Sequence, residues 1–224
     1  MSIVLAFDCA VTGLGVAVLR GETVLATVVE EGRDQAARLL PAIATALDQA
    51  GIARRAVGLV AVTTGPGSFT GVRVGLAAAR GLAVGLDVPL AGVATTSVLL
   101  AQAPPSGQLP IAAIDSQLGD WFCAMAEGEA PFLASADDLA GRLRGRACAI
   151  VGSGTHRLAA DLVDRGIAAT AEEAVPDPVV LARLAAAPGI EAWRERNARE
   201  GLPRPLYLRG VNVTLPDGAR RTVE

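Results

Sequence analysis

VAVTTGPGSFTGVRVGLAAARGLAVGLDV, residues 60–88, carries more structural information than any other part of the 224-residue chain. Leu59–Thr64 is apolar with poor alternation, which fits a strand covered on both faces inside a sheet flanked by helices. Gly65-Pro66-Gly67 follows as an abrupt reversal, because Pro66 fixes φ and the flanking glycines accept φ > 0. Ser68 or Thr70 is placed to cap a long helix that runs from about Gly71 to Leu86.

That helix carries four glycines, Gly71, Gly75, Gly81 and Gly85, each about 1 kcal/mol worse than alanine in a helix. Gly71, Gly75, Ala78 and Leu82 fall on one line at helical spacing, and Val72, Leu76, Ala79 and Ala83 on the next. Arg73, Ala77, Arg80 and Val84 form the only charged stripe. A helix apolar nearly all round is covered on two sides. One side is its own sheet. The other side is a second helix or another protein, or else the whole is a plain core helix.

Half of the residues are hydrophobic, enough for a sizeable core without metal or disulfides. The net charge of −3 gives no general attraction to nucleic acid. All 20 basic residues are arginine, which excludes a P-loop lysine and a Schiff-base lysine. Cys9, Cys123 and Cys148 lie far apart in apolar runs and read as buried thiols of a reducing compartment. The chain opens on a strand with no signal-peptide pattern, and no uninterrupted apolar run reaches membrane-spanning length. A cytoplasmic protein with no membrane contact is expected.

Ser2–Asp8, Leu14–Leu19 and Val24–Val29 read as a three-stranded antiparallel meander. Gln35–Ala50 reads as a helix with Leu39, Leu40, Ile43 and Leu47 on one face and a bend at Pro41. A short strand at Pro89–Val93 and a helix at Thr96–Ala103, capped by Thr95 or Thr96, complete a first half. Ala103-Pro104-Pro105-Ser106-Gly107 is the linker. The pattern then restarts. Ile111–Ile114 ends in Asp115, Trp121–Ala126 returns, Ala136–Leu143 is helical, and the strand Ala147–Val151 leads through Gly152-Ser153-Gly154 into a helix at Arg157–Arg165. A further helix is expected at Pro178–Ala187. The reading is therefore a weak internal duplication, with domains at 1–103 and 108–224 and part of the tail returning to the first. From Glu191 onward arginine exceeds the acids, a small excess read as solvated surface.

Chemistry has few places to sit. Asp8 and Asp115 each end a strand and, in a cleft between two halves, would face a nucleotide–metal site together with Gly152 and Gly154. The plainer expectation is that each aspartate caps its own turn. Gly65–Gly71 lacks the Lys-Ser/Thr ending of a P-loop. The single histidine, His156, cannot build a His-rich metal centre. A Ser-His-Asp or Cys-His site would depend on it, yet it stands at a helix start where a capping or surface role is expected.

The run GPGSFTGVRVG closely resembles the signature of the TsaB (YeaZ) family. Ile3–Asp8 with its meander resembles the opening strand of that family, and Arg33-Asp34-Gln35 through Leu40-Pro41 its first-helix motif. Ile114-Asp115 resembles its second hairpin, Gly152-Ser153-Gly154 its GxG turn, and Pro205-Leu206-Tyr207-Leu208-Arg209 its closing motif. Gln35, Ser116-Gln117 and the tail after Arg209 depart from the pattern.

The resemblance implies an α/β fold of two actin-like, ribonuclease H-like domains, each a mixed sheet flanked by helices. It further implies a subunit with no catalytic residues, metal or cofactor of its own. Such a subunit would bind and activate TsaD in forming N6-threonylcarbamoyladenosine in tRNAs that read codons starting with A. TsaE would join the assembly, a homodimer would form in isolation, and tRNA would be contacted only through the complex. Leu39, Leu40, Ile43, Gly71, Gly75, Ala78, Ala79 and Leu82 would then form or support the partner interface. The rival reading is an ATP-dependent phosphotransferase or nucleotide-binding protein on the same fold, with Asp8 and Asp115 arranging metal and base.

Overall fold

The computed structural model describes residues 2–32, 34–126 and 130–209, and the backbone of two later strands, Val211–Thr214 and Arg220–Val223. Arg33 of the first-helix motif and the side chains beyond Arg209 lie outside the described residues.

Two five-stranded sheets share one topology. In the first, β1 (Ile3–Asp8), β2 (Leu14–Arg20) and β3 (Thr23–Glu30) form the meander, and β4 (Val57–Thr63) and β5 (Leu90–Val93) run parallel to β1, in the order β3-β2-β1-β4-β5. In the second, β6 (Leu109–Asp115), β7 (Trp121–Met125), β8 (Phe132–Ala134), β9 (Cys148–Ser153) and β10 (Ala169–Glu173) repeat it as β10-β9-β6-β7-β8. A meander followed by parallel strands, present twice, is the actin-like, ribonuclease H-like pair. The duplication expected from the restarting strand–aspartate–strand pattern is thus present in both sheets. β8 and β10 escaped the sequence reading because both are short and largely uncovered.

Helices α1 (Gln35–Gln49) and α2 (Phe69–Leu86) cover one face of the first sheet. Leu39, Ile43, Leu47, Val72, Leu76 and Ala83 interlock there with Leu5, Phe7, Val16 and Val62. On the opposite face lie α3 (Thr95–Gln102), α6 (Pro178–Ala186) and α7 (Ile190–Glu200), with Val98, Leu181, Ala185 and Trp193 packed on Val4, Ala6 and Leu59. Leu99 of α3 turns the other way onto Ala112, Ile114 and Val151 of the second sheet. The far face of that sheet is covered by α4 (Ala136–Leu143) and α5 (Thr155–Val163). Helix α3 therefore lies between the two sheets, with α6 beside it on the first.

Residues 178–200 follow the second sheet in the chain but pack on the first sheet. Helix α7 is an addition to the sequence reading. Its single buried residue, Trp193, donates its indole N–H to the Ala185 carbonyl at 2.7 Å, and every other position is exposed or only partly covered. Beyond it, residues 201–209 form a strap along the first domain. Arg80 donates to the Pro203 carbonyl, the Leu206 N–H donates to Thr64, and Arg209 reaches Asp120 in the second domain.

Three further expectations are refined. Leu40 is not on the core face of α1: it is 57% exposed, while Ala42 and Ala46 take the buried positions. Neither Thr95 nor Thr96 caps α3; Ala94 is its N-cap, and both threonine hydroxyls are buried without a partner. By length and composition α2 also meets the requirement for crossing a membrane, but here it lies flat on the first sheet with Val72, Leu76, Ala79 and Ala83 buried.

Candidate functional site

The turn ahead of α2 connects it to β4 and packs against the loop that follows β1. Gly65–Pro66 is cis, and Gly65 has φ +95°. Ser68 is the N-cap, its hydroxyl accepting from the Gly71 N–H at 3.2 Å. The Ser68 N–H in turn donates to the Ala10 carbonyl at 2.6 Å, which ties the turn to the loop that follows Asp8. A Cβ on Gly67 would collide with the Ala10 carbonyl oxygen, and one on Gly71 with the Cys9 carbonyl oxygen. These glycines let two backbones touch.

Asp8 sits at the end of β1, buried, with one carboxylate oxygen accepting from the Thr63 hydroxyl and from the Ala10 N–H. Burial pushes its carboxyl up to about 6, against the opposing effect of those two bonds. Asp115 takes the equivalent place in the second half. Its Oδ1 accepts from the Gln117 N–H at 2.8 Å, and its Oδ2 pairs with Arg157 at 3.0 Å. Each aspartate caps the turn that follows it, as the plainer expectation had it.

A cleft of about 550 Å³ opens beside Asp8, lined by Leu14, Val29, Pro176 and Val179 together with Glu30, Glu31 and Asp177. Asp115, Gly152 and Gly154 are not among its lining residues. Gly154 lies instead against the Asp115 side chain, where an added Cβ would meet Asp115 at about 3.0 Å. At the start of α5, where Gly154 would present N–H groups to a phosphate, the place is taken. The Glu173 carboxylate accepts from the N–H groups of Gly154, Thr155 and His156 and from the Thr155 hydroxyl. Burial works to raise the Glu173 carboxyl, but these four bonds outweigh it and hold it below its usual range. A helix N-terminus filled by a carboxylate of the same chain is closed to an external anion. His156 is exposed at the start of α5, where its backbone serves this cap. Among the described residues no cluster of His, Cys, Asp and Glu is arranged to hold a metal ion.

The α1–α2 face has a different character. Of the residues singled out by spacing, Leu39, Ile43, Gly71, Gly75 and Ala79 are buried in the first domain, and Ala78 and Leu82 are partly buried. They build the support beneath the face. The surface itself is presented by Phe69, Arg73, Ala77, Gly81, Val84 and Gly85 of α2, with Leu40 of α1. The stripe Arg73, Ala77, Arg80, Val84 had marked this side in the sequence. Val84 is 72% exposed. The glycines divide in the same way: a Cβ on Gly71 or Gly75 meets Cys9, whereas one on Gly81 or Gly85 meets nothing within 4 Å.

Comparison with known proteins agrees with this architecture. The family model described as TsaD: tRNA N6-adenosine threonylcarbamoyltransferase matches residues 24–141, more than half of the chain. The tRNA threonylcarbamoyladenosine biosynthesis protein TsaB of Escherichia coli is 34% identical over 123 residues, covering 54% of this chain and 53% of that protein. Its Bacillus subtilis counterpart is 35% identical over 99 residues, covering 44% and 43%. The aligned segments thus span about half the length of these relatives. The structure of YeaZ from Pseudomonas aeruginosa superposes on 93% of this chain and 100% of that one, with a TM-score of 0.69 and 26% identity. The chain belongs to the family that this model describes and, within it, to the TsaB (YeaZ) branch.

Proposed function

We propose that the chain is a non-catalytic subunit that docks a TsaD-type threonylcarbamoyltransferase on the outward face of α2 and the adjoining flank of α1, and holds it in its active form. The product would be N6-threonylcarbamoyladenosine next to the anticodon of tRNAs reading codons that start with A. The observation that carries this reading is the pair Gly81 and Gly85. Each costs about 1 kcal/mol in a helix, and neither is needed for packing within the chain. A smooth helix surface with Val84 and Leu40 exposed beside it accepts close approach of a partner helix. The mechanism is linkage: a subunit that binds only the competent state of the enzyme raises the population of that state. The filled α5 N-terminus weighs against nucleotide chemistry in this chain. TsaE would join the assembly, and tRNA would be met through the complex.

The test is light-scattering mass after size-exclusion chromatography, for this protein alone and mixed with the transferase of the same organism. A one-to-one complex supports the reading. Failure to associate, with TsaE and nucleotide also present, removes it.

A further inference from the structure

We propose that Phe69, Arg73 and Tyr207 form the anchor of the docking face and that the anchor takes a carboxylate side chain of the partner protein. This rests on the reading of α2 as the docking face.

Two parts of the chain far apart in sequence meet here, the first turn of α2 and the strap. The Arg73 guanidinium carbon lies 3.2 Å from the centroid of the Phe69 ring and 5.2 Å from that of Tyr207. The two rings are 6.0 Å apart, tilted by 31°. Both are about half exposed, 49% and 44%. The Phe69 ring lies close against the guanidinium and the Tyr207 ring approaches from the side, roughly at a right angle to it, so the cation is held by aromatic contact while its side chain stays exposed with N–H donors to offer. Among the described residues no carboxylate lies within ion-pair distance of Arg73. Its stacking is satisfied and its charge is not.

The strap holds the cluster in place. Leu206 N–H bonds to the Thr64 carbonyl at 2.8 Å, one residue before Tyr207, and Arg80 grips the Pro203 carbonyl from α2. A pre-ordered aromatic–arginine group loses little freedom on binding. Tyrosine and arginine are also residue types that dominate binding energy at interfaces.

Local charge identifies the occupant. Residues 69–86 and 201–209 contain four arginines and neither Asp nor Glu, in a chain of net charge −3. Arg80 is engaged with Pro203 and Arg209 with Asp120, which leaves Arg73 and Arg204. The apolar stripe beside the cluster, Ala77, Gly81 and Val84, suits a packed helix rather than a nucleic-acid backbone. A carboxylate on the partner protein meets both requirements, a planar bidentate acceptor for Arg73 and an apolar neighbour for the stripe.

The test is calorimetric affinity for the transferase, at low and high salt, with wild type and the variants Arg73→Ala, Arg73→Lys and Gly81→Leu, each confirmed folded by its melting temperature. Arg73→Ala is expected to weaken binding at least about tenfold and to flatten the salt dependence. Arg73→Lys should recover only part of the loss, because an ammonium neither stacks nor forks. If Arg73→Ala binds like wild type while Gly81→Leu does not, the anchor is wrong and the docking face stands. If neither changes the affinity, or wild type does not bind, the docking reading fails and the anchor with it. A tRNA gel shift by the isolated chain that is lost in Arg73→Ala would assign the cluster to nucleic acid and overturn the proposal.

Discussion

The Cys9 thiol donates to the carbonyl of Gly71 at 3.2 Å, across 62 residues of chain. That contact marks where the loop after β1 rests against the first turn of α2, and it separates the four helical glycines into two pairs. Replacing Gly71 by alanine drives a methyl group into the Cys9 backbone. Gly71→Ala should cost about 2 kcal/mol or more in urea unfolding, by the usual penalty for forced backbone movement in a packed region. Gly81→Ala and Gly85→Ala have open space around them and should each stabilise by about 0.5–1 kcal/mol. These three variants of one helix would then split by sign. A uniform gain, or a uniform loss, would show that the contact with Cys9 does not control the position.

Asp8 links stability to pH. Its carboxyl is raised from 3.8 to about 6, chiefly by burial. The folded state therefore holds a proton between those values that the unfolded chain has already released. Stability from this group is complete below about pH 4, falls as pH rises, and is lost once pH passes about 6. The difference corresponds to about 3 kcal/mol. Asp8→Asn keeps an oxygen for the Ala10 N–H and the Thr63 hydroxyl but cannot titrate. Unfolding free energies of the two proteins, compared across that window, should converge at the acid end and separate towards neutral pH in favour of the asparagine variant. Parallel curves would mean that Asp8 does not titrate in the fold as described.

Glu173 acts in the opposite sense. Its carboxyl is held low by the hydrogen bonds of the α5 cap, so its contribution is present above the carboxylate range and disappears as pH falls through its lowered value. Glu173→Ala should destabilise by about 1 kcal/mol, the ordinary worth of a helix cap. It also vacates the N–H groups at the start of α5. Titration with Mg·ATP should give no heat with wild type. Binding by wild type, with turnover lost in Asp8→Asn, would restore the phosphotransferase reading.

Much of this molecule is legible in its sequence, and the parts that are not have physical causes. The meander, β4, the Gly-Pro-Gly turn and α2 follow from alternation, run length and turn chemistry, and both strand-end aspartates sit where the pattern put them. The stripe Arg73, Ala77, Arg80, Val84 already distinguished the outward side of α2. Most of the named interface residues lie in the core beneath the face, because small and apolar residues at helical spacing look alike whether they face a sheet or a partner. Gly75 and Gly81 differ through Cys9 and Val62, contacts made from other parts of the chain. Helix α7 was hidden because one tryptophan supplies its burial, and an arginine-rich run with a single anchor has no apolar period. The meeting of Tyr207 with Arg73 left no trace in spacing. The GPGSFTGVRVG and PLYLR segments were each conspicuous, and only the strap brings them together.

Hydrogen exchange of α2, in the protein alone and mixed with the transferase, addresses the docking face most directly. Amides from Ala77 to Leu86 should exchange several-fold more slowly in the complex, with Phe69–Arg73 and residues 203–207 protected alongside them. A complex that forms while these segments exchange at their free rates would place the partner on another surface and refute the docking face proposed for α2.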